Sequence, residues 1–509
     1  MRSEAGRVAG AIVRVQATEN ATGSTADGSF TLRDIAGDTA VTVTAWAPGY
    51  YIGSTRATPG TRGAAITLSA HYTGDNPGYD WFSHEGALGS QSCGHCMPTH
   101  YAEWQSDAHS QAAVNPRFLT VYNGSDTAGN QSPRTRRVPH PDYGLITLPP
   151  DPAKPYYGPG YRLDFPDTAG NCATCHVPAA AARPAAEYAA DPGEAAGIEK
   201  EGVFCEFCHK IGDVTLDPAT RLPYPNRPGV LSMRLYRPSG GDDLFFGTFD
   251  DVTRRASYLP LQKESAFCAP CHFAVFWDTV VYNSYGEWLE SPYSNPESGK
   301  TCQDCHMPAT DDTHFVLPEK GGLERAPGRI FSHRMPGAAD AELLQNTARL
   351  ELAGRREGGT VLARVRVTNE NAGHHMPTGH PARQVLLVLS ARDSQGKELE
   401  HLGDQAVPEW GGEGLADRPG KAYAKVLEEL WTGVWPSVAY WNPTTVREDT
   451  RLPALGADVT RYTFRAPAGP GPVTLEAELI YRRAFRQLAE QKKWDLRDVV
   501  MEHEESVVR

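Results

Sequence analysis

All ten cysteines of this chain fall in five C-x-x-C pairs: Cys93/Cys96, Cys172/Cys175, Cys205/Cys208, Cys268/Cys271 and Cys302/Cys305. Four pairs are followed at once by a histidine: His176, His209, His272 and His306. Histidine is scarce, 17 residues of 509, so this succession is a pattern rather than an accident of composition. The two-residue gap fixes the separation of the two thiols, and the next residue carries an imidazole beneath them. Such a chain is expected to wrap around what the cysteines hold rather than around an ordinary apolar core.

C-x-x-C-H is the attachment pattern of c-type haem. The two thiols add to the two vinyl groups of one haem, and the imidazole binds the iron. Zinc sites usually take four ligands from two such pairs and need no histidine after each. Disulfides and thioredoxin-like redox sites do not require it either. The expected cofactor is haem c, in five copies, with four as the fallback. Attachment of haem to cysteine happens outside the cytoplasm, so the protein is expected to be exported, to the periplasm or the cell exterior. Met1-Arg2-Ser3-Glu4-Ala5-Gly6 has no apolar signal core. The numbering is therefore expected to begin near a processed terminus.

The first pair departs from the pattern. It reads Cys93-Gly94-His95-Cys96-Met97, with methionine in the histidine position. Met97 could bind iron through its thioether and raise that haem's potential. The ligands could instead come from His95 or His100. Or the pair could carry no haem and form a disulfide, which export permits.

Thirteen histidines lie outside the four complete motifs, and only His401 and His503 lie beyond His380. That clustering favours ligation of the second axial position. The candidates are His109, His333, His374, His140 and His314, then His84 and His100, with His375 and His380 as alternatives in the loop of His374.

The formal charge of −13, without basic runs, argues against a nucleic-acid partner. No apolar stretch approaches the ~18 residues of a membrane span. Pattern and turn signals divide the chain into three expected domains. Residues 1–72 read as a small β-sandwich with strands at Ala11–Val15, Phe30–Leu32, Val41–Ala45 and Ile66–Leu68. Residues 73–345 hold every cysteine and read as a mostly helical or irregular haem-wrapped domain. Residues 346–509 read as a second β-sandwich, which would supply His374 as a distal ligand. Its strands are expected at Thr347–Leu352, Val361–Thr368, Val385–Ala391, Thr460–Phe464 and Val473–Ile480, and a helix follows from about Arg482 to Trp494. Within the haem region, Tyr101-Ala102-Glu103-Trp104-Gln105-Ser106 is echoed by Tyr285-Gly286-Glu287-Trp288-Leu289-Glu290-Ser291. Each follows a C-x-x-C pair, which suggests a duplicated haem-packing element.

Two resemblances attach to these segments. The run Thr25-Ala26-Asp27-Gly28-Ser29-Phe30-Thr31-Leu32, with Val41-Thr42-Val43-Thr44-Ala45 and Pro48-Gly49-Tyr50, resembles the carboxypeptidase-regulatory-like modules of secreted proteins. Residues 88–340 resemble the multihaem c-type cytochromes of bacterial respiratory chains. The resemblance rests on Asn171–His176, Gly202–Lys210, Phe267–His272, Thr301–Pro308, Ser332–Gly337 and Ala372–Gly379. It implies electron transfer between redox partner proteins. A few such cytochromes are nitrogen- or sulfur-cycle enzymes, and one subset polymerises into extracellular filaments. It further implies that His109, five residues after Trp104, and His374, in Gly-His-x-x-Pro-Thr-Gly, are distal ligands. A non-enzymatic carrier is the leading expectation, and an oxidoreductase with one open iron is the alternative. Peptide mass analysis should find a tetrapyrrole adduct on the peptide holding Cys172 and Cys175; an unmodified peptide would overturn the cofactor reading.

Overall fold

The computed structural model describes residues 1–84, 86–183 and 190–509; the side chain of His84, one of the candidate ligands, lies outside the described set. The chain divides into two compact units. The first comprises Met1–Val114, Gly170–Cys271 and Thr301–Met335, and the second Asn115–Ala169, His272–Lys300 and Pro336–Arg509. Sheets are many and helices short throughout, and no helix among the described residues is long and apolar enough to cross a membrane.

The first unit opens with a four-stranded antiparallel sheet in the order Ala21–Gly23, Ile12–Val15, Val41–Trp46, Gly53–Ala57. A three-stranded sheet of Gly6–Arg7, Arg2–Ser3 and Thr67–Leu68 accompanies it. Alternation along the strands turns Val13, Val43 and Ala45 inward, where they meet Ala11, Ile66 and Leu68. The expected strand at Phe30–Leu32 is absent. Its two apolar side chains pack on that core, but the chain bends left-handed at Asp34 (φ 54°) before any ladder forms. This region is bound to the rest of its unit by polar bridges. Arg14 grips Asp250 with two hydrogen bonds (2.8 and 3.0 Å), and the Trp46 indole donates to the Ser257 hydroxyl at 3.0 Å.

The cysteine-bearing part of this unit is less helical than expected. Two-stranded ribbons, Ile211–Val214 with Met233–Leu235 and Ala309–Thr310 with Ile330–Phe331, run between the short helices. Its apolar cluster gathers around Trp104, Phe204 and Phe207, all buried.

The second unit holds two large sheets. One has Ala348–Glu357, Thr360–Asn369 and Ala457–Arg465; the other has the order Thr444–Asp449, Gly420–Glu429, Gln384–Arg392, Val473–Arg482, Val499–Val508. In Thr360–Asn369, Val361, Ala363, Val365 and Val367 are buried while Arg364 and Arg366 face out. In Gln384–Arg392 nearly every residue is buried, because Val385, Leu387 and Leu389 join the core shared by both sheets while Leu386 and Val388 meet Val407 and Ala422 on the other face. The terminal helix spans only Arg486–Lys492. Arg482 still belongs to a strand, held by Asp498 at 2.8 and 2.7 Å, and Lys493 ends the helix in a left-handed conformation. The expected stripe of Phe485, Leu488 and Trp494 packs against Ala382 and Val438.

Lys492 is fully buried, and its ammonium donates to the carbonyls of Pro159, Thr120 and Ser125 at 2.7, 3.0 and 3.1 Å. Burial lowers its pKa to about 7. Lys492→Met removes all three bonds and leaves buried acceptors behind. We expect a loss of about 3 kcal/mol, read as a lower urea midpoint; an unchanged midpoint would show that these bonds contribute nothing.

Candidate cofactor site

Each cysteine pair lies on or beside a single short helical turn: Ser90–Gly94, Ala173–His176, Cys205–Lys210, Ala269–His272 and Cys302–His306. The turn brings the fifth residue back under the first. The His176 N–H reaches the Cys172 carbonyl at 3.1 Å, and the Met97 N–H reaches that of Cys93 at 3.0 Å. The Cys302 turn is nucleated by a capping box, in which Thr301 and Asp304 satisfy each other's backbone amides. None of the ten cysteines is in a disulfide.

Thiols of different turns influence one another's ionisation within the first unit. Interaction between Cys93 and Cys205 pushes Cys93 up and Cys205 down. The same holds for Cys271 against Cys175 and for Cys268 against Cys302. Burial, aided by neighbouring thiols and carboxylates, raises Cys172 and Cys208 to about 12.

The ten cysteines differ in depth. Nine cysteines are half-buried, whereas Cys305 is exposed. The reason lies in how its turn is seated. Cys302 donates its N–H to the Ser265 hydroxyl at 2.9 Å, and the Gln303 carboxamide donates to the carbonyls of Gln262 and Glu264 at 3.1 and 2.8 Å. These bonds turn the face of Cys302 and Gln303 toward the protein and leave Asp304 and Cys305 on the outer face. The fifth pair therefore presents one thiol inward, to Cys268, and the other at the surface.

The imidazoles share one arrangement. Nδ1 of His176 faces the Ala112 carbonyl at 3.2 Å, that of His209 the Phe246 carbonyl, and that of His333 the Phe331 carbonyl at 3.1 Å. His374 does the same with the His375 carbonyl at 3.0 Å, and His109 with the Asp107 carboxylate at 2.6 Å. A proton on Nδ1 places the lone pair on Nε2, the tautomer that binds iron, and the bond fixes the ring's orientation. Burial depresses His176 to about 4 and His333 to about 3, so both rings are neutral at physiological pH. Paired thiols with half-buried, oriented imidazoles fit the donor set of haem c.

His100 and His333 lie together. The His100 and His333 rings lie 4.5 Å apart, and both His100 and His209 help to depress His333. This places His333, from a distant stretch of sequence, beside His100 and within electrostatic reach of His209 of the third motif. His272 and His306 end their turns as the spacing requires. His314 has Nδ1 3.0 Å from the Thr313 hydroxyl. His140 and His380 differ: Nδ1 accepts a backbone N–H from Asp142 (3.2 Å) and Ala382 (3.1 Å), the tautomer with hydrogen on Nε2. His95 caps its helix.

Met97 sits in a bend of φ −127°, ψ 61°, just before Pro98. Val177 and Met307 adopt almost the same bend before Pro178 and Pro308, but each stands one residue beyond its histidine. A residue preceding proline avoids the helical region. In the first motif the axial position and the bend therefore coincide.

The echo between Tyr101–Ser106 and Tyr285–Ser291 extends to individual hydrogen bonds, each lying within one unit. The Trp104 indole donates to the Val203 carbonyl (2.9 Å), two residues before Cys205; the Trp288 indole donates to the Lys300 carbonyl (2.8 Å), two residues before Cys302. The Ser90 hydroxyl, three residues before Cys93, receives the Cys205 N–H at 3.2 Å; Ser265, three before Cys268, receives that of Cys302 at 2.9 Å. Val203 N–H reaches the His109 carbonyl and Lys300 N–H the Tyr293 carbonyl, both at 3.0 Å. Tyr293 thus occupies in the second copy the place of His109 in the first, and His272 that of Met97. Ser90, Ser265, Gly202 and Gly299 are absent from the sequence-based candidates. Their signal was the Ser-x-x-Cys-x-x-Cys spacing and the glycine three residues before Cys205 and Cys302.

No protein-family model and no curated protein matches the chain. Among solved structures, the chain resembles a penta-heme cytochrome c552 from Thermochromatium tepidum, with a TM-score of 0.56 at 19% identity, over 82% of this chain and 98% of that one. It shares that fold. The Fcho1 Mu homology domain of Danio rerio overlaps 33% of this chain and 50% of its own at 10% identity, but its TM-score of 0.14 is too low to argue from.

The repeated frame predicts a repeated intolerance. A Cβ on Gly202 would stand 2.8 Å from the His109 carbonyl oxygen, at a φ of 62°, and one on Gly299 would overlap the Tyr293 carbonyl oxygen. Gly202→Ala and Gly299→Ala should each cost about 2 kcal/mol or more, by strain and lost backbone bonding. Thermal midpoints equal to the parent's in both variants would break the equivalence.

Proposed function

We propose that this chain is an exported c-type cytochrome carrying five haems, which passes electrons between redox partner proteins outside the cytoplasm. The observation that carries the reading is the repeated donor set on short turns that are bonded to one another: four cysteine pairs lie on or beside turns that carry the following histidine, and the Cys205 and Cys302 amides bond Ser90 and Ser265 beside other pairs. Cofactors anchored on touching turns lie close enough for electrons to move between them. The fold shared with a penta-heme cytochrome supports the count of five. Haem iron held by two closed axial ligands supplies one-electron oxidation and reduction without bond making.

The chain's own residues do the rest. His176, His209, His272 and His306 are the proximal ligands, with Met97 in that place at the first site. His109, His333 and His374 are the leading distal ligands; His140 and His314 stand behind them, and the tautomer of His140 weighs against it. The exposed Cys305 makes the fifth pair the anchor nearest to solvent. The formal charge of −13 would steer positively charged donors, with salt-dependent rates. The N-terminal sheets serve as a carboxypeptidase-regulatory-like contact module, and the two sheets of the second unit as a sandwich that docks partners. Self-assembly into an extracellular filament is the sharper form of this reading; dispersed particles in negative stain at high concentration would refute it.

One observation favours the second reading, an oxidoreductase for a small nitrogen or sulfur compound. Met97 leaves the chain from a pre-proline bend rather than from the helical turn that presents the histidines, so the first site has the weakest claim to a closed iron. Electron paramagnetic resonance of the oxidised protein separates the two. We expect low-spin signals from every haem. A high-spin component that shifts on adding nitrite or hydroxylamine would replace the carrier by the enzyme, and a pyridine haemochrome value of four rather than five would empty the first site.

A further inference from the structure

Each copy of the repeated frame carries one carboxylate at a matching place, and thioether attachment and axial ligation leave both unexplained. Glu103, on helix Pro98–Ser106, receives the His333 N–H on Oε2 at 2.7 Å and the Ser332 hydroxyl on Oε1 at 3.0 Å. Glu287, on helix Ser284–Leu289 and buried, receives the His375 N–H at 3.2 Å and the Thr378 hydroxyl on Oε2, while Arg451 occupies Oε1. Both carboxylates grip the backbone of a His-x-Met-Pro stretch: His333-Arg334-Met335-Pro336 in one case, His374-His375-Met376-Pro377 in the other. Neither stretch belongs to a helix or a named strand. The other partners differ between the copies. The bond from a loop amide to the carboxylate is common to both.

We infer that Glu103 and Glu287 are positioning residues that fix the loops presenting His333 and His374 as distal ligands. The inference rests on the five-haem reading. Its physical basis is short. An amide bonded to a carboxylate forms a charge-assisted hydrogen bond, stronger than one to a neutral acceptor. In each loop the ring is tied through Nδ1 to a neighbouring backbone carbonyl, of Phe331 for His333 and of His375 for His374. Ring and backbone therefore move together, and a loop held at its amide holds the imidazole. Groups that orient a metal ligand in this way commonly change affinity by roughly ten- to a hundred-fold when lost.

The test uses the haem-loaded protein. Glu103→Ala and Glu287→Ala should each keep five haems by pyridine haemochrome yet convert one iron to high spin. The reduced variant should bind one equivalent of carbon monoxide that the parent refuses, and added imidazole should restore the low-spin spectrum. Glu→Gln keeps one accepting oxygen, so its high-spin fraction should fall between parent and alanine variant. If an alanine variant fails to accumulate, the glutamine variant decides alone. Five haems with unchanged spectra and no carbon monoxide binding in these variants would overturn the inference and leave the cytochrome reading intact. A parent protein without haem would overturn that reading itself.

Discussion

The arrangement depends on how one cysteine turn is fixed to the next. A Ser hydroxyl three residues before one pair takes the first amide of another, Ser90 for Cys205 and Ser265 for Cys302. A tryptophan indole then bonds the carbonyl two residues before that same cysteine, Trp104 at Val203 and Trp288 at Lys300. Two directional bonds on the approach to one turn fix both its position and its orientation. Those turns consequently lie against one another, and the spacing of anything they hold is set by these directional bonds rather than by apolar packing. Such bonds matter more here than in an apolar core, because short turns and ribbons have few ladder bonds of their own.

The two copies of this frame differ where it would meet a metal. Met97 stands where the second copy has His272, and Tyr293 where the first has His109. A frame that keeps its hydrogen bonds while exchanging ligand-type side chains can hold several sites at fixed spacing and still give them different axial chemistry. Burial acts in the same direction, keeping His176 and His333 neutral and available as lone-pair donors.

The local geometry of the cysteine turns was legible in the chain. Cysteine spacing and the succeeding histidine put two thiols and an imidazole on one short turn, the arrangement that thioether attachment would need. Spacing says nothing of depth, however, and Cys305 reads like the other nine although it lies at the surface. The strands of the second unit followed from alternation, and Val361–Thr368 and Val385–Ala391 lie inside observed strands. Phe30–Leu32 misled, because apolar side chains can pack on a core without a ladder beside them. The terminal helix was overextended, because Arg482 is held in a strand by Asp498, a partner that periodicity does not register. The ribbons among the cysteines were missed for a related reason: two to four residues carry too little period to read.

The sequence by itself determined the chemistry on offer: which thiols are paired, which imidazoles follow them, and where one methionine breaks the series. These are local facts, spanned by a single turn of backbone. Only the tertiary structure decided which turns touch, that His333 comes to lie beside His100, and that Glu103 and Glu287 hold loops far from them in the chain. Those relations join residues separated by scores to hundreds of positions. Their energy comes from hydrogen bonds and burial that exist only once the chain has closed on itself.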